Sequence, residues 1–234
     1  MFYQVTDTTD VKKQSTRNNK GPGEILNRYT SLPVLFYILS KKKLTLFPPN
    51  LWDDKNDSYY LEQYKKNCRL KTVLALCFSE KKSQTYHLWN SFAHGQAGVC
   101  IQFNREKLIA AIGDDIENKK IRCGKVTYEK LRRRQEVFES SCLPFTKRIA
   151  FKDEEEWRII YQSKTKEEKT FDICIEISSI NLVTLSPWLP KALKDPIRCA
   201  IQKIPGCERL KIERSTILNS EEWRNRAEMV SKSS

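Results

Sequence analysis

Glu154-Glu155-Glu156-Trp157-Arg158-Ile159-Ile160-Tyr161 is the stretch on which the reading of this chain turns. Side chains alternate faces along a strand. A strand over these residues therefore puts Glu154, Glu156 and Arg158 on one side, and Trp157, Ile159 and Tyr161 on the other. The apolar side must be the buried one. The polar side carries two carboxylates at i and i+2 beside a guanidinium. Such a trio does chemistry when the Arg holds one carboxylate ionised while the other meets a substrate hydroxyl or a developing cation. Otherwise it is a solvated strand face with a local ion pair, which adds little stability.

Outward from this strand, short elements of both kinds follow one another without a regular order. Asn27-Arg28-Tyr29 reads as a strand or strand end. Ser31 is placed to cap a helix through Val34–Leu39, with Pro33 tolerated in its first turn. Leu44–Phe47 is a short strand stopped by Pro48-Pro49, and Asn50–Ser58 reads as a polar loop around Trp52. Further strands are expected at Thr72–Phe78, Gly98–Phe103, Ile121–Tyr128, Phe171–Ile177 and Leu210–Ile212. Helices are expected at Ser83–Ala93, Arg105–Ile112, Glu129–Ser140 and Pro190–Lys203. Gly95 would end the first of these with a left-handed turn. The mixed order predicts an α+β fold with a central mixed or antiparallel sheet flanked by helices. Residues 1–23 are a polar arm, with a short strand expected at Met1–Val5. Residues 24–218 form a single domain of catalytic type, and residues 219–234 are a polar tail frayed from about 225.

Composition narrows the function classes. Lys and Arg number 42 against 29 Asp and Glu, a formal net charge of +13. A field of that size attracts polyanions, and a nucleic-acid partner is expected from it. Solubility alone is the plainer explanation of the same charge. Arg132, Arg133 and Arg134 on the Glu129–Ser140 helix are either a phosphate-contacting stripe or a solvated face. The eight cysteines form no CxxC pair, and no His stands at zinc-finger spacing. They read as reduced thiols in a cytoplasmic protein, with no leader ahead of the domain and no bound metal. No apolar run is long enough to span a membrane, so no membrane partner is expected. Neither GxGxxG nor GxxxxGK[ST] occurs. The loop acids Asp53, Asp54 and Asp57 offer a contact to a metal, a ribose or a basic partner, or simply a solvated turn. His87, Ser91 and His94 are spaced to share a helix face, but no nucleophile elbow accompanies them.

Several segments taken together resemble the bacterial domain-of-unknown-function family 2971. They are Arg28-Tyr29 before an apolar helix, the Leu44–Phe47 strand with its Trp-Asp-Asp loop, and Ala75-Leu76-Cys77-Phe78-Ser79-Glu80. Trp89…Phe92-Ala93-His94-Gly95…Gly98-Val99, Phe151-Lys152 leading into Glu154-x-Glu156-Trp157-Arg158-Ile159, and Ser215 complete the set. The resemblance runs over about residues 25–216. Two departures stand out: the loop reads Asp53-Asp54-Lys55 where the family usually has Asn-Asp-Pro, and Lys152-Asp153 stands where an aromatic residue is usual. More distantly, an Arg-Tyr strand, Thr30-Ser31, a helix and a late Glu-x-Glu strand look like the ADP-ribosyltransferase plan. That likeness implies nicotinamide adenine dinucleotide (NAD) as co-substrate, held by Arg28, Tyr29 and Thr30, with Trp89 and His94 lining the pocket. It implies Glu156 as the catalytic carboxylate, assisted by Glu154 and Arg158. Trp52, Asp54 and the Arg132–Arg134 run would meet the acceptor, a nucleic acid or a protein, in a toxin or phage-defence effector. Two other functions fit the same residues. One is a non-catalytic nucleic-acid-binding module. The other is a metal-dependent nuclease or hydrolase built on Asp53, Asp54 and Glu156.

Overall fold

The computed structural model describes residues 24–130 and 139–231. The polar arm, where a Met1–Val5 strand was expected, and the Arg132–Arg134 run lie outside them. β1 (Ile25–Ser31) runs directly into α1 (Leu32–Lys41). Ser31 occupies the cap position expected of it, but its hydroxyl makes no capping bond. β2 (Lys43–Leu46) follows a left-handed Lys42.

The expected Asn50–Ser58 loop is instead a 3-10 turn at Pro49–Leu51 followed by α2 (Lys55–Asn67). The Asp54 carboxylate caps α2 by accepting from the Asn56 and Asp57 amides. Asp57, Leu61 and Tyr64 are the buried positions of the helix. Their i, i+4, i+7 spacing is an ordinary core stripe with an acid in its first place.

β3 (Thr72–Ser79), α3 (Tyr86–Phe92), β4 (Gly98–Asn104), α4 (Arg105–Ala111) and α5 (Gly113–Glu117) come next. After them come β5 (Ile121–Lys125), β6 (Thr127–Glu129), β7 (Thr146–Arg148) and β8 (Glu156–Ser163). β9 (Phe171–Cys174), β10 (Ile180–Leu185), α6 (Lys194–Gln202), β11 (Ile212–Arg214) and α7 (Glu221–Ser231) complete the described chain. Gly95 has φ 86°, the left-handed turn expected of it after α3. The tail expected to fray from about 225 is helical through α7, and β10 had no counterpart in the sequence reading.

The fold is α+β. Among the described residues, a seven-stranded mixed sheet runs in the order β11-β10-β4-β1-β3-β8-β5. Only β10 and β11 pair in parallel within it. One face carries Leu26, Phe78, Ile101, Phe103, Trp157 and Ile159 against Leu35, Ile38 and Leu39 of α1. Burial of each such side chain contributes about 1.5–3 kcal/mol. On the opposite face Val73, Ala75 and Ile160 pack against Leu61 and Tyr64 of α2.

That second layer overturns the expectation of a solvated polar face on β8. Glu156 through Tyr161 are all buried, and Arg158 has no exposed surface. The strand is also shorter than expected at its start. Ile149–Glu154 is a 3-10 turn ended by Glu155, whose φ of 44° puts it in the left-handed region. Glu154 therefore does not alternate with Glu156 along a strand.

Candidate functional site

The two sheet halves meet weakly at one place. β1 pairs with β4 along its whole length, from Ile25 opposite Asn104 to Ser31 opposite Gly98. β3 pairs with β8 in the same way, from Thr72 opposite Ser163 to Ser79 opposite Glu156. Between β1 and β3 the only pair is Asn27 opposite Ser79. Beyond it the strands part, and Phe47 bridges to Ala75 instead.

A strand edge opened in this way exposes main-chain groups that need partners. Arg28 supplies one: its Nη1 donates to the Cys77 carbonyl at 3.2 Å. Its Nε is buried without a hydrogen-bond partner, and no carboxylate pairs with the guanidinium among the described residues. Burial lowers its pKa from the ordinary arginine value, and Cys77 partly offsets this.

On the far side of Cys77 lies a buried ion network. Arg158 donates through Nε to Glu156 Oε1 and through Nη2 to Glu156 Oε2, both at 2.8 Å. Its Nη1 reaches Asp57 Oδ1 and the Pro144 carbonyl, each at 2.9 Å, and Nη2 also binds Asp57 Oδ2. The whole guanidinium fork is thus committed. Its Cζ lies 5.1 Å from the ring centre of Trp52. Lys147 Nζ bridges Glu154 Oε2, Glu156 Oε2 at 3.2 Å and Asp57 Oδ2 at 3.6 Å. Tyr128 accepts a hydrogen bond from the Glu156 amide at 2.8 Å.

Three carboxylates here share two cations, and their environments drive them apart. Burial raises the pKa of Glu156, but Arg158 and then Lys147 overrule it and hold the carboxylate at about 2. The neighbouring Cys77 thiol adds to this. Burial wins at Asp57 and Glu154, whose pKa values rise despite Arg158 and Lys147 respectively. Glu156 is the member of the group that the cations hold ionised. A proton entering the network goes to Glu154 or Asp57. A split of this kind is how two acids in one site take different roles.

A cavity of about 330 Å³ opens beside the end of β1, lined by Tyr29, Thr30, Ser31, Phe92, Ala93, His94, Ala97 and Gly98. Tyr29 meets Trp89 edge to face at a centroid distance of 5.2 Å. Trp89 itself is fully buried and backs the wall, with its indole N–H on Gln84 Oε1 at 3.1 Å. Gly98 is fixed by sterics, since a Cβ built there would run into the Ala93 carbonyl.

The expected site residues therefore fall into three groups. Tyr29, Thr30 and His94 line the cavity, and Arg28 stands at the strand split next to it. Glu154, Glu156, Arg158 and Trp52 form the network across Cys77, and none of the cavity-lining residues comes from β8. Asp54 is occupied as a helix cap, and Arg132, Arg133 and Arg134 lie outside the described residues. Sequence reasoning missed Lys147, Tyr128 and Cys77 as site residues and took Asp57 only as one of the loop acids. Asp57 carried a usable signal as the third residue after an Asp cap at the head of an apolar stripe. Lys147 and Tyr128 carried none.

The residues named for the metal-dependent alternative do not converge in this geometry: Asp54 caps a helix and Asp57 is the acid near Glu156. Among the described residues no group of three His, Cys, Asp or Glu side chains is placed to hold a metal ion. Asp57, not Asp53 or Asp54, reaches Glu156, and it does so through a guanidinium.

Residues 88–159 match the family described as a protein of unknown function (DUF2971), the family that the order of motifs resembles. No curated protein matches the sequence significantly. The chain is also similar to the solved structure of DarT from Thermus sp. 2.9 in complex with ADP-ribosylated single-stranded DNA. The identity is 7% and the TM-score 0.43, over 86% of this chain and 98% of that one.

Proposed function

We propose that this protein is a glycosyl-transferring enzyme of ADP-ribosyltransferase type, with NAD as co-substrate and a nucleic acid as acceptor. One observation carries the reading. A half-buried Arg28 guanidinium with no carboxylate partner among the described residues reaches the Cys77 carbonyl of β3 from β1, and an ionised Glu156 stands on β8 at the other side of β3, where the sheet splits. Arg28 supplies the charge that a dinucleotide's phosphates require. Tyr29, Thr30 and His94 give the adjoining cavity an aromatic and hydroxyl lining suited to a ribosyl-nicotinamide.

In the reaction the bond between ribose C1′ and the nicotinamide nitrogen breaks, and its electron pair leaves with neutral nicotinamide. The positive charge left on the ribose is stabilised by the Glu156 carboxylate, which stays ionised at any working pH. The acceptor nucleophile then bonds to C1′ and gives its proton to Glu154, whose pKa is raised.

The test is transfer of labelled NAD to single-stranded DNA, RNA or lysate protein. Wild-type protein should label one of the nucleic acids. Glu156→Gln should reduce labelling by at least about a hundredfold, the scale of one lost electrostatic stabiliser. Transfer undiminished in that variant would remove Glu156 from the mechanism.

A second reading follows from the burial of the same carboxylate. Glu156 is only 6% exposed, with Arg158 on both its oxygens. On that reading the network is scaffolding and the chain works by binding nucleic acid through its net charge of +13. Binding would then fall steeply with salt and with Arg132→Ala plus Arg134→Ala, and Glu156→Gln would leave function intact.

A further inference from the structure

Beside the cavity, three aromatic rings from separate segments gather at the surface. Trp188 follows β10, Tyr86 opens α3, and His94 lies in the turn after α3. The Trp188 ring is 6.1 Å from that of Tyr86 and 4.8 Å from that of His94, centre to centre. Tyr86 is 54% exposed, His94 is exposed and Trp188 is half-buried. His94 also lines the cavity, so platform and cavity are continuous.

Hydrogen bonds fix the main chain that carries Trp188. The Trp188 amide donates to Ser186 Oγ at 3.0 Å, and that hydroxyl donates to the Gly95 carbonyl at 2.6 Å. The segment carrying Trp188 is thereby tied to the one carrying His94. Arg214 grips the same segment from below, donating to the Pro187 and Leu189 carbonyls, each at 2.6 Å. The inner side of Trp188 rests against the buried group of Trp89, Ala93 and Cys100. Among the described residues the Tyr86 hydroxyl and the His94 ring nitrogens make no hydrogen bond. The rings are tilted to one another, Tyr86 by 61° and His94 by 55° to Trp188, and Tyr86 and His94 leave much of their surface exposed.

We infer that Tyr86, His94 and Trp188 form a stacking platform for an unpaired base of a single-stranded nucleic acid. Every base has a π-face, so aromatic rings stack on single strands without demanding a particular sequence. The chain's charge of +13 supplies the backbone attraction that such sites combine with stacking. A duplex keeps its bases stacked on each other and does not offer one. This rests on the nucleic-acid part of the reading above, but it needs no turnover.

The experiment is binding of a fluorescent oligothymidylate to the full chain without NAD, across a salt series, with duplex DNA and NAD alone as comparison ligands. Tyr86→Ala and Trp188→Ala should each weaken oligothymidylate binding about tenfold at every salt concentration, with the salt slope unchanged, because stacking releases no counterions. Trp188→Phe should restore most of the loss, which separates stacking from damage to the fold. Unchanged oligothymidylate affinity in Tyr86→Ala and Trp188→Ala would overturn the platform. So would weakened NAD binding with oligothymidylate binding intact, which would make the rings a dinucleotide subsite. Loss of stacking with NAD transfer absent in wild type would keep the platform and remove only the transferase reading.

Discussion

At the scale of single residues, Arg158 joins the fold to the site. Its guanidinium is fully buried and serves Asp57, Glu156 and the Pro144 carbonyl. Removing Asp57 leaves two carboxylates for the two cations but strands Arg158 N–H donors in the interior. Asp57→Ala should therefore cost about 1–3 kcal/mol in a urea titration. Arg158→Lys should not rescue function, since an ammonium cannot reproduce the two-sided fork. The two glutamates should show opposite pH behaviour. Glu156 is held at about 2, below the usual carboxylate value near 4.3. It stabilises the fold above the unfolded value and loses that contribution as pH falls toward about 2. Glu154 is raised, so its contribution is present below about 4.3 and is lost as pH rises through its folded value. Relative to wild type, Glu156→Gln should fall behind as pH rises through the acid range. Glu154→Gln should gain on wild type as pH rises above about 4.3. Thermal melts of both variants across pH would check this, and parallel curves would contradict the split.

At the scale of elements, α2 decides what β8 is. Without it the Glu156–Arg158 face would meet water, as alternation along the strand implies. With it, Leu61 and Tyr64 cover Ile160, and Asp57 is delivered to Arg158. The helix was hidden in the sequence because Lys55–Asn67 is polar on average and follows a Pro-Pro break. Its start was nevertheless written in Asp54. Asp54→Ala should lower stability by about 1 kcal/mol through loss of the cap, and Asp53→Ala should change little. Equal effects of the two would argue against the cap. The α3–β4 turn makes a second case. Gly98→Ala must displace the Ala93 carbonyl, so it should destabilise the protein and deform the cavity wall, measurable as a lowered melting temperature.

At the scale of the whole molecule, all eight cysteines are free thiols in the structure. Melting should therefore be indifferent to added reductant, and a drop on reduction would show a disulfide in solution. Among the described residues no helix is long and apolar enough to cross a membrane. The α+β class, the sheet strands at Thr72–Ser79 and Gly98–Asn104, the left-handed Gly95 and the buried Trp157 and Ile159 were all legible from residue order. These follow from local rules of alternation, apolar runs and glycine conformational freedom, which act over a few residues. The trio of Glu154, Glu156 and Arg158 was also visible as spacing, and the likeness to the ADP-ribosyltransferase plan singled out Glu156 within it. Only the tertiary structure decided that this face is buried, that Glu154 joins it from outside the strand through Lys147, and that Arg28 stands one strand away across Cys77. Those facts depend on which elements pack together over separations such as the 101 residues between Asp57 and Arg158. Desolvation and charge pairing are properties of that packing, and a linear pattern does not carry them.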